Sequence, residues 1–106
     1  MVKNIKYSII VTTYNYEKFL RFCVDSCLQQ TKDLTYEVIV INDGSTDNTE
    51  EILKSYNSPL LSYYTILNSG IEAASNFGFK KAKGTYLVRV DADDMLSPDY
   101  LRIMDT

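Results

Sequence analysis

The sequence contains no histidine and only two cysteines. Without histidine, neither a Ser-His-Asp triad nor a Cys-His pair can form, which excludes these arrangements of nucleophilic catalysis. Two thiols with no further cysteine or histidine cannot supply the four ligands of a structural zinc site. Cys23 and Cys27 are spaced i, i+4 in a helical pattern. We therefore expect reduced thiols on one helix face, in a reducing, cytoplasmic compartment.

Long apolar runs and long basic runs are missing as well. No stretch approaches the roughly 18 consecutive apolar residues of a membrane span, and the start of the chain lacks the apolar region of a signal peptide. The formal net charge is −3, whereas a nucleic-acid-binding face would be basic. We expect a soluble chain with no nucleic-acid partner. An anionic ligand stays compatible with this charge if a metal ion supplies the positive charge.

The glycine-rich signatures of two common nucleotide-binding folds are also absent. None of the four glycines belongs to a G-x-G-x-x-G after the first apolar run or to a G-x-x-x-x-G-K-[ST] loop. The first absence disfavours the usual dinucleotide fold, and the second excludes a P-loop.

Apolar, β-branched runs alternate with helical patterns along the chain. Strands are predicted at 7–13, 37–41, 60–67 and 86–90. Helices are predicted from Glu17 to Leu28, from the Asp47–Glu50 pattern through Tyr56, from Ile71 to Ala82, and after Ser97. This order predicts an α/β fold with a mostly parallel sheet flanked by helices. The length of 106 residues allows a single domain with a modest core, and because the chain stops within its last helix we expect a C-terminal truncation.

Local signals predict how these helices begin and end. Asp47 with Glu50 resembles a capping box, Gly84 would end the third helix, and Pro98 fits a first helical position. Gly78 inside the third helix costs about 1 kcal/mol relative to alanine. That cost indicates a close approach by backbone or ligand at Gly78, with packing as the favoured reason.

Polar clusters follow three of the predicted strands, at the point where each strand ends. They are Thr13-Tyr14-Asn15 with Glu17, Asn42-Asp43-Gly44-Ser45, and Asp91-Ala92-Asp93-Asp94. In an open parallel sheet, ligands bind outside the carboxyl ends of the strands. Each cluster alone is ordinary loop composition, but their expected convergence on one rim predicts a binding site.

The third cluster carries the most distinctive chemistry. Crowded carboxylates repel one another unless they take up a proton or a cation, and Mg²⁺ and Mn²⁺ prefer carboxylate oxygens. Asp93 is therefore the expected ligand of a metal that neutralises a diphosphate, and Asp91 could accept hydrogen bonds from ribose. Asp43 could accept from a nucleobase N–H, and Tyr14 could stack on the base. The alternative is a solvated acidic turn that caps the next helix.

Taken together, the motifs resemble the N-terminal, nucleotide-binding part of family 2 glycosyltransferases, which are inverting enzymes of the GT-A fold. The matching stretches are SIIVTTYN at 8–15, EVIVINDGSTD at 37–47, NSG at 68–70, NFG at 76–78, and DADD at 91–94 followed by Pro98-Asp99. The set spans nearly the whole chain in the family's order and is specific, whereas Asp-x-Asp alone is not. Many members have proline where this chain has Thr12.

The resemblance implies roles for individual residues. Asp43 matches the aspartate that contacts the base, Asp91 the ribose-side aspartate, and Asp93 the metal ligand. The other nucleotide-binding positions it implies are Thr13, Tyr14, Asn15, Glu17, Asn68, Gly70, Asn76 and Ala92, with Gly78 close to the same region. The family's catalytic base lies in the acceptor-binding half, which we expect beyond Thr106.

The function that the resemblance implies is donor binding in a metal-dependent inverting glycosyltransferase, with a Rossmann-like, GT-A nucleotide-binding half. The expected cofactor is Mn²⁺ or Mg²⁺, the donor a nucleotide-diphospho-sugar such as a UDP-sugar, and the acceptor a glycan or another hydroxyl compound. Peripheral membrane association of the full-length protein is compatible with this function.

Two alternatives stay open. The chain could bind a nucleotide without transferring sugar on its own. A phosphatase or receiver-type acidic pocket is weaker, because such sites usually place an aspartate after the first strand, where this chain has Thr13. An uncovered sheet edge would also favour a homodimer.

Overall fold

The computed structural model describes residues 4–105, in which four strands alternate with four helices. The elements are β1 (Tyr7–Thr13), α1 (Glu17–Cys27), β2 (Tyr36–Asp43), α2 (Thr49–Lys54), β3 (Leu61–Ile66), α3 (Ile71–Lys81), β4 (Tyr86–Asp91) and α4 (Tyr100–Met104). All strand pairs are parallel, in the order β3-β2-β1-β4. The predicted α/β fold class is confirmed. Across residues 4–105, no helix combines the length and apolarity needed to cross a membrane.

The two central strands are buried on both faces, which explains their nearly continuous apolar sequences. Successive side chains of a strand point to opposite faces. Ile9 and Val11 of β1 therefore pack in one core with α1, α2 and α4. Ile10 of β1 packs in a second core with Ile39 and with Ala74 of α3. Helices thus lie on both faces of the sheet and leave its carboxyl edge free for a site.

Helix α1 buries a stripe that includes both cysteines. Leu20, Cys23, Val24 and Cys27 are fully buried at helical spacing. Both thiols are free, as predicted. The neighbouring Cys27 thiol, together with burial, raises the pKa of the Cys23 thiol far above its usual range. The thiol therefore stays protonated at neutral pH.

The predicted capping box of α2 is wrong. Asn48 precedes the helix and makes no side-chain capping bond. The Asp47 carboxylate accepts from the backbone N–H of Thr49 at 3.0 Å and from that of Glu17 at 3.1 Å. The Glu50 carboxylate accepts from the Thr65 hydroxyl instead of reaching back to Asp47. Asp47 therefore joins two segments of the chain rather than closing one helix.

Two further terminal signals have a different role in the structure. Helix α3 ends at Lys81 and Ala82 is extended, so Gly84 does not form the helix stop. A Cβ on Gly84 would lie 2.6 Å from the Ser8 hydroxyl oxygen, which shows that the chain needs glycine to pass β1 there. Pro98 lies in a turn closed by the Tyr100 N–H and the Ser97 carbonyl at 3.1 Å, ahead of α4, and is not its first residue.

Packing requires glycine at position 78, which confirms the reason that the sequence analysis favoured. A Cβ on Gly78 would collide with the side chain of Ile10 and would lie 3.2 Å from that of Ile41. Helix α3 can therefore approach the two central strands closely only because this position lacks a side chain.

Candidate functional site

The carboxyl ends of the parallel strands meet at one edge of the sheet. Thr13 of β1 pairs with Asn42 of β2, and Thr12 pairs with Asp91 of β4. A cavity of about 510 Å³ opens at this edge, within the size range of small-molecule sites. The predicted site residues that line it are Thr13, Tyr14, Asp43, Asn68, Gly70, Asp91 and Asp93. The expected convergence of the three clusters on one rim is present in the structure.

Four other predicted site residues lie away from this cavity. Ala92 is fully buried in the core beside α1. Asn76 is exposed on α3 and does not line the cavity. Asn15 and Glu17 contact the loop that follows β2.

The sequence reading also missed residues that line the cavity. Tyr16 follows the first cluster, and Ile71 and Ala74 lie on the first turns of α3. Nothing in their local sequence distinguishes them from core or surface residues. Position in the chain could have identified Ile71, because it directly follows Gly70 at a strand-to-helix turn on the predicted rim.

Asp43 fixes the loop between β3 and α3. Its carboxylate is buried and accepts from the Ser69 N–H at 2.8 Å and the Gly70 N–H at 3.0 Å. The Asn68 side-chain amide donates to the Asp43 carbonyl at 3.0 Å. Gly44, at φ +71°, allows this approach, since a Cβ there would lie 2.7 Å from the Asn68 nitrogen. One carboxylate thus unites the ends of β2 and β3 at the cavity.

A second set of contacts joins the loops after β1 and β2. Asn15 adopts a left-handed conformation with φ 58°. Its backbone N–H donates to the Ser45 hydroxyl at 3.0 Å, and its side-chain oxygen accepts from the Thr46 N–H at 2.8 Å. These bonds hold Tyr14, the neighbour of Asn15, at the cavity wall.

Thr13 contributes an unsatisfied group to the cavity. Its hydroxyl oxygen is buried and has no hydrogen-bond partner among residues 4–105. A buried polar group without a partner carries a desolvation penalty of about 1–3 kcal/mol. A ligand in the cavity that Thr13 lines could supply the missing partner.

The acidic cluster occupies the β4 side of the rim. Carboxylate oxygens of Asp91, Asp93 and Asp94 lie within 4.8 Å of one another, and Asp93 and Asp94 are exposed. Asp91 also forms an ion pair with Arg89 at 2.5 Å. Exposed carboxylate oxygens from one turn suit a hard divalent ion that keeps waters or phosphate oxygens as its other ligands. The donor set therefore fits Mg²⁺ or Mn²⁺.

Comparison with known proteins defines the class to which this fold and site belong. The chain matches the model described as glycosyl transferase family 2 over residues 8–104. It therefore belongs to glycosyl transferase family 2, and its parallel sheet corresponds to the nucleotide-binding half of the GT-A fold.

Particular relatives share this part of their structure with the chain. The glycosyltransferase GlyA of Streptococcus pneumoniae is 38% identical over an alignment of 106 positions, which covers 98% of this chain and 15% of that protein. TarS 1-349 of S. aureus, in complex with UDP-GlcNAc, is 34% identical with a TM-score of 0.86, over 95% of this chain and 30% of that one.

A more distant structure adds a metal complex. The mannosyltransferase PcManGT of Pyrobaculum calidifontis, in complex with GDP-Man and Mn²⁺, is 25% identical with a TM-score of 0.81, over 93% of this chain and 31% of that one. The chain thus spans less than a third of each of these three proteins.

Proposed function

We propose that this chain is the nucleotide-sugar-binding part of a metal-dependent, inverting glycosyltransferase. The observation that carries the proposal is the cavity that places Thr13, Asp43 and the Asp91–Asp93 carboxylates on one rim. The family match supports it, as do the UDP-GlcNAc held by TarS and the GDP-Man and Mn²⁺ held by the mannosyltransferase.

The nucleoside would bind on the β1 and β2 side of the cavity. Asp43 can still accept a base N–H, because an ionised carboxylate has about four acceptor positions and the loop contacts fill only part of them. Tyr14 is about half exposed, so its ring face is available for stacking on the base. The Thr13 hydroxyl would gain its first partner. We propose a UDP-sugar as the donor.

The diphosphate would lie toward the acidic cluster. Asp93, with Asp94 beside it, would hold Mn²⁺ or Mg²⁺, and Asp91 would take the ribose side. When bound, the ion would offset the charge of the diphosphate and of the leaving group. The ion pair with Arg89 already compensates Asp91, which leaves Asp93 as the main protein ligand.

Transfer to an acceptor hydroxyl requires a base to remove its proton. We propose that this base belongs to the acceptor-binding part of a longer protein, since the chain covers only 15% of GlyA and less than a third of TarS 1-349 and of the mannosyltransferase. For the same reason, we expect the isolated chain to bind nucleotide without transferring sugar.

Titration calorimetry of the chain with UDP, with and without Mn²⁺, tests the proposal. We expect Mn²⁺ to strengthen UDP binding, and Asp93→Ala to remove at least tenfold of that gain, since losing even an outer-shell partner costs about 10-fold. Asp99→Ala is the matched control, because Asp99 is an exposed aspartate of the same loop whose carboxylate forms an ion pair with Arg102.

Asp93→Ala binding UDP and Mn²⁺ as tightly as wild type would exclude the metal site. If the folded chain does not bind UDP, titrations with GDP and TDP follow. Failure of all three nucleotides would exclude nucleotide binding.

A further inference from the structure

One side of α1 carries buried polar groups that face the acidic loop, which we define as residues 92–99 between β4 and α4. Cys23, Ser26 and Gln30 follow one another at i, i+3 and i+7, so they lie on one side of the helix and of the turn after it. Their exposed fractions are only 0%, 8% and 4%. Buried polar groups of this kind need hydrogen-bond partners.

The partners lie at both ends of the acidic loop. The Cys23 thiol donates to the Asp91 carbonyl at 3.5 Å, just before the loop. The Ser26 hydroxyl oxygen accepts from the Leu96 N–H at 3.0 Å. One helix therefore holds the chain on both sides of Asp93 and Asp94.

Gln30 adds a two-sided attachment at the far end. Its amide nitrogen donates to the Ser97 carbonyl at 2.7 Å, and its amide oxygen accepts from the Leu101 N–H at 2.9 Å. The same side chain thus bridges the acidic loop and the first turn of α4. At the start of the loop, the Asp94 N–H donates to the carbonyl of Asp91, the last residue of β4, at 2.9 Å.

These attachments oppose the electrostatics of the loop. Like charges a few ångströms apart repel one another, and exposed carboxylates on an untethered turn would separate. A cation site needs its ligands held within about 0.5 Å of the productive geometry. Ties to a packed helix on either side of Asp93 provide that restraint.

We infer that Cys23, Ser26 and Gln30 are positioning residues that hold the acidic loop in its cation-binding geometry. The inference rests on the proposed function, because it assumes that Asp93 and Asp94 bind a divalent ion. The three residues do not line the nucleotide cavity. They act on the ion only through the backbone of the loop.

Gln30→Met is the primary test, since it keeps the side-chain length and removes all three side-chain hydrogen bonds, the third being to the Ser26 carbonyl at 3.3 Å. We expect about a tenfold loss of Mn²⁺-dependent UDP affinity, with metal-free UDP affinity unchanged because Asp43 and Tyr14 are untouched. Gln29→Met is the control, because Gln29 is the exposed neighbour. Titration calorimetry gives both affinities, and circular dichroism verifies folding.

Ser26→Ala gives a second test with its own matched control. The Ser26 hydroxyl donates to the Cys23 carbonyl at 2.7 Å, and the Ser75 hydroxyl donates to the Ile71 carbonyl at 2.7 Å. Both serines are buried, but only Ser26 also accepts from the acidic loop. Ser26→Ala should reduce the Mn²⁺-dependent affinity, and Ser75→Ala should retain it. This pair decides the question if Gln30→Met does not fold.

The outcomes separate the inference from the proposed function. The inference is overturned if UDP binding by both Gln30→Met and Ser26→Ala depends on Mn²⁺ as it does in wild type. It is also overturned if the variants lose UDP affinity equally with and without Mn²⁺, which would indicate a general structural role. Mn²⁺ binding without nucleotide, followed by electron paramagnetic resonance, tests the loop independently. A wild-type chain that binds Mn²⁺ but no nucleotide contradicts the proposed function alone, whereas binding neither contradicts both.

Discussion

At the scale of single residues, Asn15 has the most unusual backbone. Among residues 4–105, it is the only non-glycine residue with a positive φ. That conformation costs most L-residues about 1–2 kcal/mol, and asparagine tolerates it better because its short polar side chain bonds locally. Here the side chain bonds to the Thr46 N–H in the next loop. The resemblance implies a nucleotide contact for Asn15, which stays a prediction, and the structure adds a contact between loops.

Substitution of Asn15 separates the backbone effect from the hydrogen bond. Asn15→Gly keeps the left-handed conformation but loses the hydrogen bond to Thr46, so we expect the free energy of unfolding to fall by about 1 kcal/mol. Asn15→Ala loses both, and we expect a total loss of about 2 kcal/mol. Asn15→Asp, which retains an acceptor oxygen, should stay near wild type. Urea unfolding measures the series, and equal stability of the alanine and glycine variants would contradict backbone strain.

At the scale of elements, Asp47 joins the start of α1 to the start of α2. Its carboxylate accepts from the N–H of Glu17 and from both the N–H and the hydroxyl of Thr49. Burial raises the pKa of the Asp47 carboxyl, but these hydrogen bonds lower it by more, so the net pKa lies below the usual range. The junction between the two helices is therefore strongest when Asp47 is ionised.

This junction predicts a pH dependence. Because the folded pKa lies below the unfolded one, Asp47 contributes stability above its unfolded pKa of about 4, and that contribution is lost as the pH falls through and below that value. Asp47→Asn should flatten the loss of stability between about pH 5 and pH 3. Thr49→Val removes the hydrogen bond from the Thr49 hydroxyl to Asp47, so its loss of stability with falling pH should lie between those of wild type and Asp47→Asn. Thermal unfolding at each pH measures the three profiles. A profile for Asp47→Asn identical to wild type would contradict this role.

The elements themselves were predictable from the sequence, and their attachments were not. Long apolar runs such as Ile9–Val11 identify strands buried on both faces, and polar residues at strand ends identify the rim. The attachments join residues far apart in sequence. Asp47 reaches Glu17, and Gly84 passes Ser8. A local pattern contains no information on such pairs, so the capping box and the glycine stop were misread.

At the scale of the whole molecule, the sheet formed by residues 4–105 has two edge strands. Strands β3 and β4 end the order β3-β2-β1-β4. Tyr86 and Leu87 of β4 are about half exposed. An exposed apolar edge strand presents unpaired backbone groups to other chains.

We therefore predict that the isolated chain self-associates through a sheet edge. Leu87→Lys should shift it toward monomer, because a charged lysine on an edge strand opposes pairing. Phe22→Lys is the control, since it removes a similarly exposed apolar side chain from α1. Sedimentation velocity over a wide concentration range measures the effect. A wild-type chain that stays monomeric throughout would contradict the prediction.

The strand order also sets the sequence in which the site is built. Strand β1 lies between β2 and β4, and its pairing of Tyr7 with Tyr86 joins the start of the chain to its last quarter. Contacts between distant residues carry a larger loop-closure entropy and form slowly. On a ribosome, β1, β2 and β3 emerge with Thr13 and Asp43 before β4 exists. The side of the cavity formed by β1 and β2 can assemble during synthesis, and Asp91, Asp93 and Asp94 are added after it.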